Sequence, residues 1–302
     1  MPFLLPLLLL AQAYDPEIEA VMNRSAKRRQ EAAAEVQSQA QAQPASATPA
    51  RADGRIPVPE KFAAPFQDCL DAANQSPEQG AAFAEKWRIE GGSFYARNCM
   101  GYAYARGERW APAIIAFEQG ADEAERGGEP VQGARLWAQA GNAALAGGDP
   151  AKARDDFDAA LARGIPDGLE KGEVHLDRAR ALVALGDNTG ARQSLDVALE
   201  QAPKDPLAWL LSATLARRTG EMVLAQAHIA RAVQQSPDDA SVALEEGNIA
   251  VLTDHDDIAR VAWQRAVRLA PALPAGKAAA DNLSRLSPSA PPNAAPARDQ
   301  SR

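Results

Sequence analysis

Small apolar residues return at a fixed interval along the second half of the chain. Ala191, Ala225 and Ala259 stand 34 residues apart, as do Ala198, Ala232 and Ala266, and Pro203, Pro237 and Pro271 close the same period. Between them the apolar positions follow helical spacing, so each proline ends a pair of helical segments. Proline has no N–H to donate and disfavours helix in the residue before it. A unit of this length cannot bury its apolar face alone, so neighbouring units stack and share one core. The pattern predicts an all-α chain of helix hairpins.

The same residue types continue upstream at slightly longer spacings. Trp137, Gly141, Ala153, Phe157 and Ala160 precede Pro166, and before them come Gly101, Tyr104, Ala113 and Phe117. The later periods carry His175, Ala179, Leu182 and Leu195, then Trp209, Ala213 and Ile229, then Gly247 and Trp263. Together these residues resemble the tetratricopeptide repeat, which has Trp, Gly and Tyr on its first helix, Ala and Phe on its second, and a closing Pro. The resemblance runs over residues 93–271 and implies a right-handed α-solenoid of about five hairpins. Gly and Ala let the two helices of a unit approach closely. The bulky residue at the Phe position is expected to fill the gap between one hairpin and the next.

Helical patterns flank the repeats. Phe62, Phe66, Cys69, Leu70 and Ala73 mark one face of a first helix, and Ser76-Pro77-Glu78-Gln79 has the form of a capping box opening a second through Phe83 and Trp87. Residues 60–92 therefore read as an amino-terminal capping pair, and residues 272–286 as a carboxyl-terminal capping helix. Residues 14–59 read as a sparsely apolar helical arm running into a Gln/Ala/Ser/Pro-rich linker, and residues 287–302 as a disordered tail. The first thirteen residues form a short apolar run closed by Ala11-Gln12-Ala13, the form of an export signal with its cleavage site. That run is far shorter than the roughly 20 residues of a spanning helix. No stable membrane span is expected.

Charge and cysteine narrow the picture. A formal net charge of −8 argues against nucleic acid as partner, because phosphate recognition needs a clustered basic face. Cys69 and Cys99 fall on successive helical patterns. A disulfide between them suits an oxidising compartment, and two buried thiols are the alternative. No catalytic constellation emerges: His175, His228 and His255 are scattered, and His255-Asp256-Asp257 reads as turn capping rather than metal binding. No enzyme activity, metal or cofactor is expected.

The resemblance implies instead a concave groove lined by the first helix of each unit. In this register it takes Tyr95, Asn98, Tyr102 and Arg106, then Arg135, Ala138, Asn142 and Leu145. It continues with Glu173, Leu176, Arg180 and Val183, then Leu207, Leu210, Thr214, Arg217 and Arg218, and ends with Leu244, Asn248 and Val251. Five arginines against one glutamate point to an acidic or carboxylate-bearing segment, and four leucines to an apolar strip for a helix or extended peptide. Asn142 resembles an asparagine that the family uses to hold a peptide backbone, whereas Asn98 stands where its carboxylate clamp has lysine. The expected role is a scaffold or adaptor binding a protein or peptide, in the periplasm or otherwise exported. A cytoplasmic regulatory or co-chaperone-like module is the alternative.

Overall fold

The computed structural model describes residues 58–286. The export-like segment, most of the arm and linker, and the tail lie outside the described residues. Those described form thirteen α-helices and no strand, in two compact units that divide after Gly220.

The first unit holds nine helices: α1 (Glu60–Gln75), α2 (Pro77–Ile89), α3 (Ser93–Arg106), α4 (Trp110–Arg126), α5 (Pro130–Ala146), α6 (Pro150–Ala162), α7 (Leu169–Ala184), α8 (Asn188–Gln201) and α9 (Pro206–Arg218). Each packs on the next, and α3 also packs on α1, as α7 does on α5. The second unit holds α10 (Met222–Gln235), α11 (Ala240–Val251), α12 (Asp256–Leu269) and α13 (Pro274–Arg285), again packed in succession, with α13 also touching α11.

Local sequence sets the helix starts. Ser76 accepts from the Gln79 amide at 3.4 Å, and Asp149, Asp187, Asp205 and Asp239 each accept a backbone N–H from the first turn of the helix that follows. These side chains satisfy amides that have no partner inside the helix. Proline occupies the first position of α2, α5, α6, α9 and α13, where a missing N–H costs nothing.

The turn joining the two helices of a hairpin recurs with one backbone solution. Its αL residue is Gly148 or Gly186, with φ near +80°, in two hairpins, and Glu108 (φ 55°) or Asp254 (φ 60°) in two others; Gly220 between the units has φ 82°. Asp149, Asp187 and His255 then donate their amides to Ala144, Leu182 and Ala250, six-to-one bonds that close the preceding helix.

Inside each hairpin one pair of residues sets the spacing of the helices. A Cβ on Gly101 would meet the Phe117 ring at 2.5 Å, one on Gly141 the Phe157 ring at 2.7 Å, and one on Gly247 the Trp263 indole at 2.4 Å. Where the first-helix residue is alanine, at Ala179, the residue sixteen positions on is the aliphatic Leu195. Glycine therefore goes with a ring and alanine with a branched chain. The bulky residue lies across the small residue of its own hairpin, because a flat ring needs the space of a missing Cβ.

Candidate functional site

The first helices α3, α5, α7 and α9 of the first unit, and α11 of the second, carry the residues expected to meet a ligand. The structure sorts these residues into three groups.

The apolar strip is not available. Leu176, Leu210 and Leu244 are each 4 % exposed and Leu207 is 9 % exposed. They join Ala179, Ala213 and Ala243 in the cores of their units, since burying a leucine is worth about 1.5–3 kcal/mol and a solvated strip forgoes it. Tyr95 is likewise turned into the core, its ring 4.9 Å from Phe62 and 4.2 Å from Phe94. Burial pushes its phenol above the ordinary range, helped by the charge of Glu129. Tyr102 donates its hydroxyl to Asn74 of α1 at 2.7 Å. Both tyrosines thus serve the capping helix.

The basic character is also smaller than the residue count implies. Arg135 binds Glu170 through two parallel bonds of 2.8 Å, and Arg180 binds Asp177 at 2.7 Å. Both guanidinium groups are largely shielded, and an unpaired charge there would cost more than the pair. Glu170 stands just before the register of its unit, so a position-by-position reading misses it. Asp177 could have been found from its i, i+3 spacing to Arg180. Arg106 is exposed and makes no ion pair among the described residues; Arg217 is half-buried and Arg218 exposed.

Three amides remain. Asn248 in the second unit is fully engaged: it donates to Glu245 at 3.2 Å and accepts from Trp263 at 3.1 Å and Asn282 at 3.0 Å. That network fixes α11 to α12 and α13, so Asn248 is structural. Asn98 on α3 and Asn142 on α5 are different. Both are half-buried, and neither side chain has a hydrogen-bond partner among the described residues. A primary amide offers two donors and an acceptor, and here all of them face outward to water or a ligand.

Titrating groups lie off this face. Asp156 on α6 is 1 % exposed; one oxygen accepts from Lys152 at 2.5 Å and the other has no partner among the described residues. Burial lifts it to about 6 against the pull of Lys152, which also binds Glu118 of α4. Burial lowers His175 to about 4, with Arg178 adding to the effect, and its Nδ1 has no partner among the described residues. His255 flanks the start of α12, with Nδ1 3.1 Å from the Thr253 hydroxyl. No metal-binding group of acids, histidines or cysteines is present among the described residues. The Cys69 and Cys99 sulfurs are 2.00 Å apart, joining α1 to α3, and both residues are fully buried.

A family model described as tetratricopeptide repeat matches residues 138–206 and 176–240. Solved structures of the same fold extend the likeness. PilW, a widely conserved type IV pilus biogenesis factor, is 18% identical with a TM-score of 0.59, covering 73% of this chain and 98% of its own. PilF of Pseudomonas aeruginosa is 14% identical with a TM-score of 0.57, covering 74% and 100%. YrrB, a tetratricopeptide protein with an unusual peptide-binding site, is 17% identical with a TM-score of 0.50, covering 66% and 97%. At these identities the likeness is one of fold. No curated protein matches the sequence. Tetratricopeptide repeats bind proteins and peptides, and no helix among the described residues is long and apolar enough to cross a membrane.

Proposed function

We propose that this protein is a scaffold that holds an extended peptide segment of a partner against the first-helix face of the first unit. The observation that carries this reading is Asn142. It is a half-buried amide without a hydrogen-bond partner among the described residues, on a helix whose Arg135 and Trp137 are tied to Glu170 and Glu125. An outward amide of this kind pairs with a peptide backbone, donating to its C=O and accepting from its N–H. Asn98 supplies a second such group one hairpin earlier, and Arg106 a cation for a carboxylate.

The same reading places the protein in the bacterial periplasm or cell envelope. Two features support this: the apolar start ending in Ala11-Gln12-Ala13, and the bonded pair Cys69–Cys99, which persists in an oxidising compartment. Cross-linking in cells, followed by capture, compares wild type with Asn98→Ala/Asn142→Ala. A discrete envelope protein caught by wild type and lost from the double variant supports the scaffold. Equal capture by both removes the first-helix face from the account.

A further inference from the structure

Helix α1 lies on residues of α3 that the repeat register assigns to ligand. The Tyr95 ring packs 4.9 Å from Phe62 and 6.0 Å from Phe66, and the Tyr102 hydroxyl is bound to Asn74. On its other side α1 packs on α2, with Phe62 and Phe66 each 6.4 Å from Trp87 and Ala73 against Gly80. Of its residues only Cys69 and Ala73 are buried, while Phe62, Phe66 and Leu70 are half-buried. No side chain caps its first turn, Pro65 interrupts its hydrogen-bond ladder, and no ion pair among the described residues involves it. It joins α2 through the single residue Ser76. Its one covalent tie to another helix is the disulfide from Cys69 to Cys99 of α3.

We propose that α1 is a redox-held latch: the disulfide keeps it over Tyr95 and Tyr102, and reduction lets it swing away and open an aromatic extension of the first-helix face. The reductant is a dithiol. One of its thiolates attacks a cysteine sulfur and breaks the S–S bond, and its second thiol resolves the mixed disulfide. Two electrons and two protons pass to Cys69 and Cys99, which become thiols, and the dithiol closes into its own disulfide. Both sulfurs are fully buried, so the reductant enters only when α1 breathes, which the missing side-chain cap and the Pro65 break in its ladder favour. What the opened face is used for rests on the scaffold reading, but the opening itself does not.

The test follows backbone amide exchange of the full chain, oxidised, treated with dithiothreitol, and as Cys69→Ser, which has no bond to reduce. Exchange across residues 62–75 is expected to quicken by at least about tenfold in the last two, with α5 to α9 unchanged. Three results overturn the latch: α1 protection that survives with two free thiols counted, a bond that the dithiol cannot reduce without denaturant, or faster exchange spreading through α9. A failed capture at the first-helix face leaves this readout untouched, so the two proposals fail separately.

Discussion

The two ends of the described chain are closed by different materials. At the amino end, α1 and α2 cover α3 with rings: Phe62, Phe66, Trp87, Phe94 and Tyr95 pack around a buried disulfide. At the carboxyl end, α13 covers α11 and α12 with alanine: Ala243, Ala259, Ala266, Ala270, Ala275 and Ala279 share the core with one indole, Trp263. Rings leave a thick layer that can be repacked, whereas small residues bring backbones into contact and leave no room for adjustment. A Cβ on Gly276 would lie 2.0 Å from the Ala270 carbonyl oxygen. The outer surfaces differ too. Six of the ten exposed large apolar side chains among the described residues fall in the second unit, including Val223, Ile258 and Val261. The two units are therefore closed by different means. Each end is built for the helix it must cover.

The largest effects should come where the two units are alike. Phe117→Ala in the first and Trp263→Ala in the second each remove a ring seated on a glycine, and each should cost about 3–5 kcal/mol by denaturant unfolding. A much smaller loss at Trp263 would show that the alanine-built unit relies on it less. Next comes Gly276→Ala, which should destabilise the second unit by about 1–3 kcal/mol and leave amide exchange in α1 to α9 unchanged. If α13 simply shifts and stability holds, the carboxyl end is looser than its close contact implies.

A smaller effect depends on pH. Asp156 binds its proton more tightly folded than unfolded, so it favours the folded state below about 4, and this contribution is lost as pH rises through about 6. Asp156→Asn should therefore stabilise the protein by about 1–2 kcal/mol at pH 8 and by little at pH 4, as read by thermal unfolding at both. His175 works in the other sense. Its neutral form is favoured on folding, so acidification from 6.5 towards about 4 destabilises, and the variant should show that loss unmasked. The smallest effect is at the turns. Glu108→Gly and Asp254→Gly place glycine where φ is already positive and should each gain up to about 1 kcal/mol, matching Gly148, Gly186 and Gly220.

The fold was legible because its determinants are periodic. Pro203, Pro237 and Pro271 mark the ends of second helices, and the pairing of Gly141 with Phe157 is visible as a spacing of sixteen. The binding face was legible only in part, since register gives the side of a helix on which a residue stands but not what lies next to it. Leu176, Leu207, Leu210 and Leu244 stand at ligand positions yet are buried, because their neighbours lie close enough to cover them. Arg135 looks free in the sequence, but its partner Glu170 comes from another helix. Tyr95 and Tyr102 could be recognised as cap contacts only once α1 had a place, and α1 follows no repeat.

The central claim is that the outward amide of Asn142 meets the partner. A photo-reactive residue placed at position 142 on α5, and at Ile115 on the outside of α4, tests it in living cells. The account predicts a discrete protein adduct from position 142 and none from position 115. The same adduct from both positions, or from position 115 alone, would contradict it.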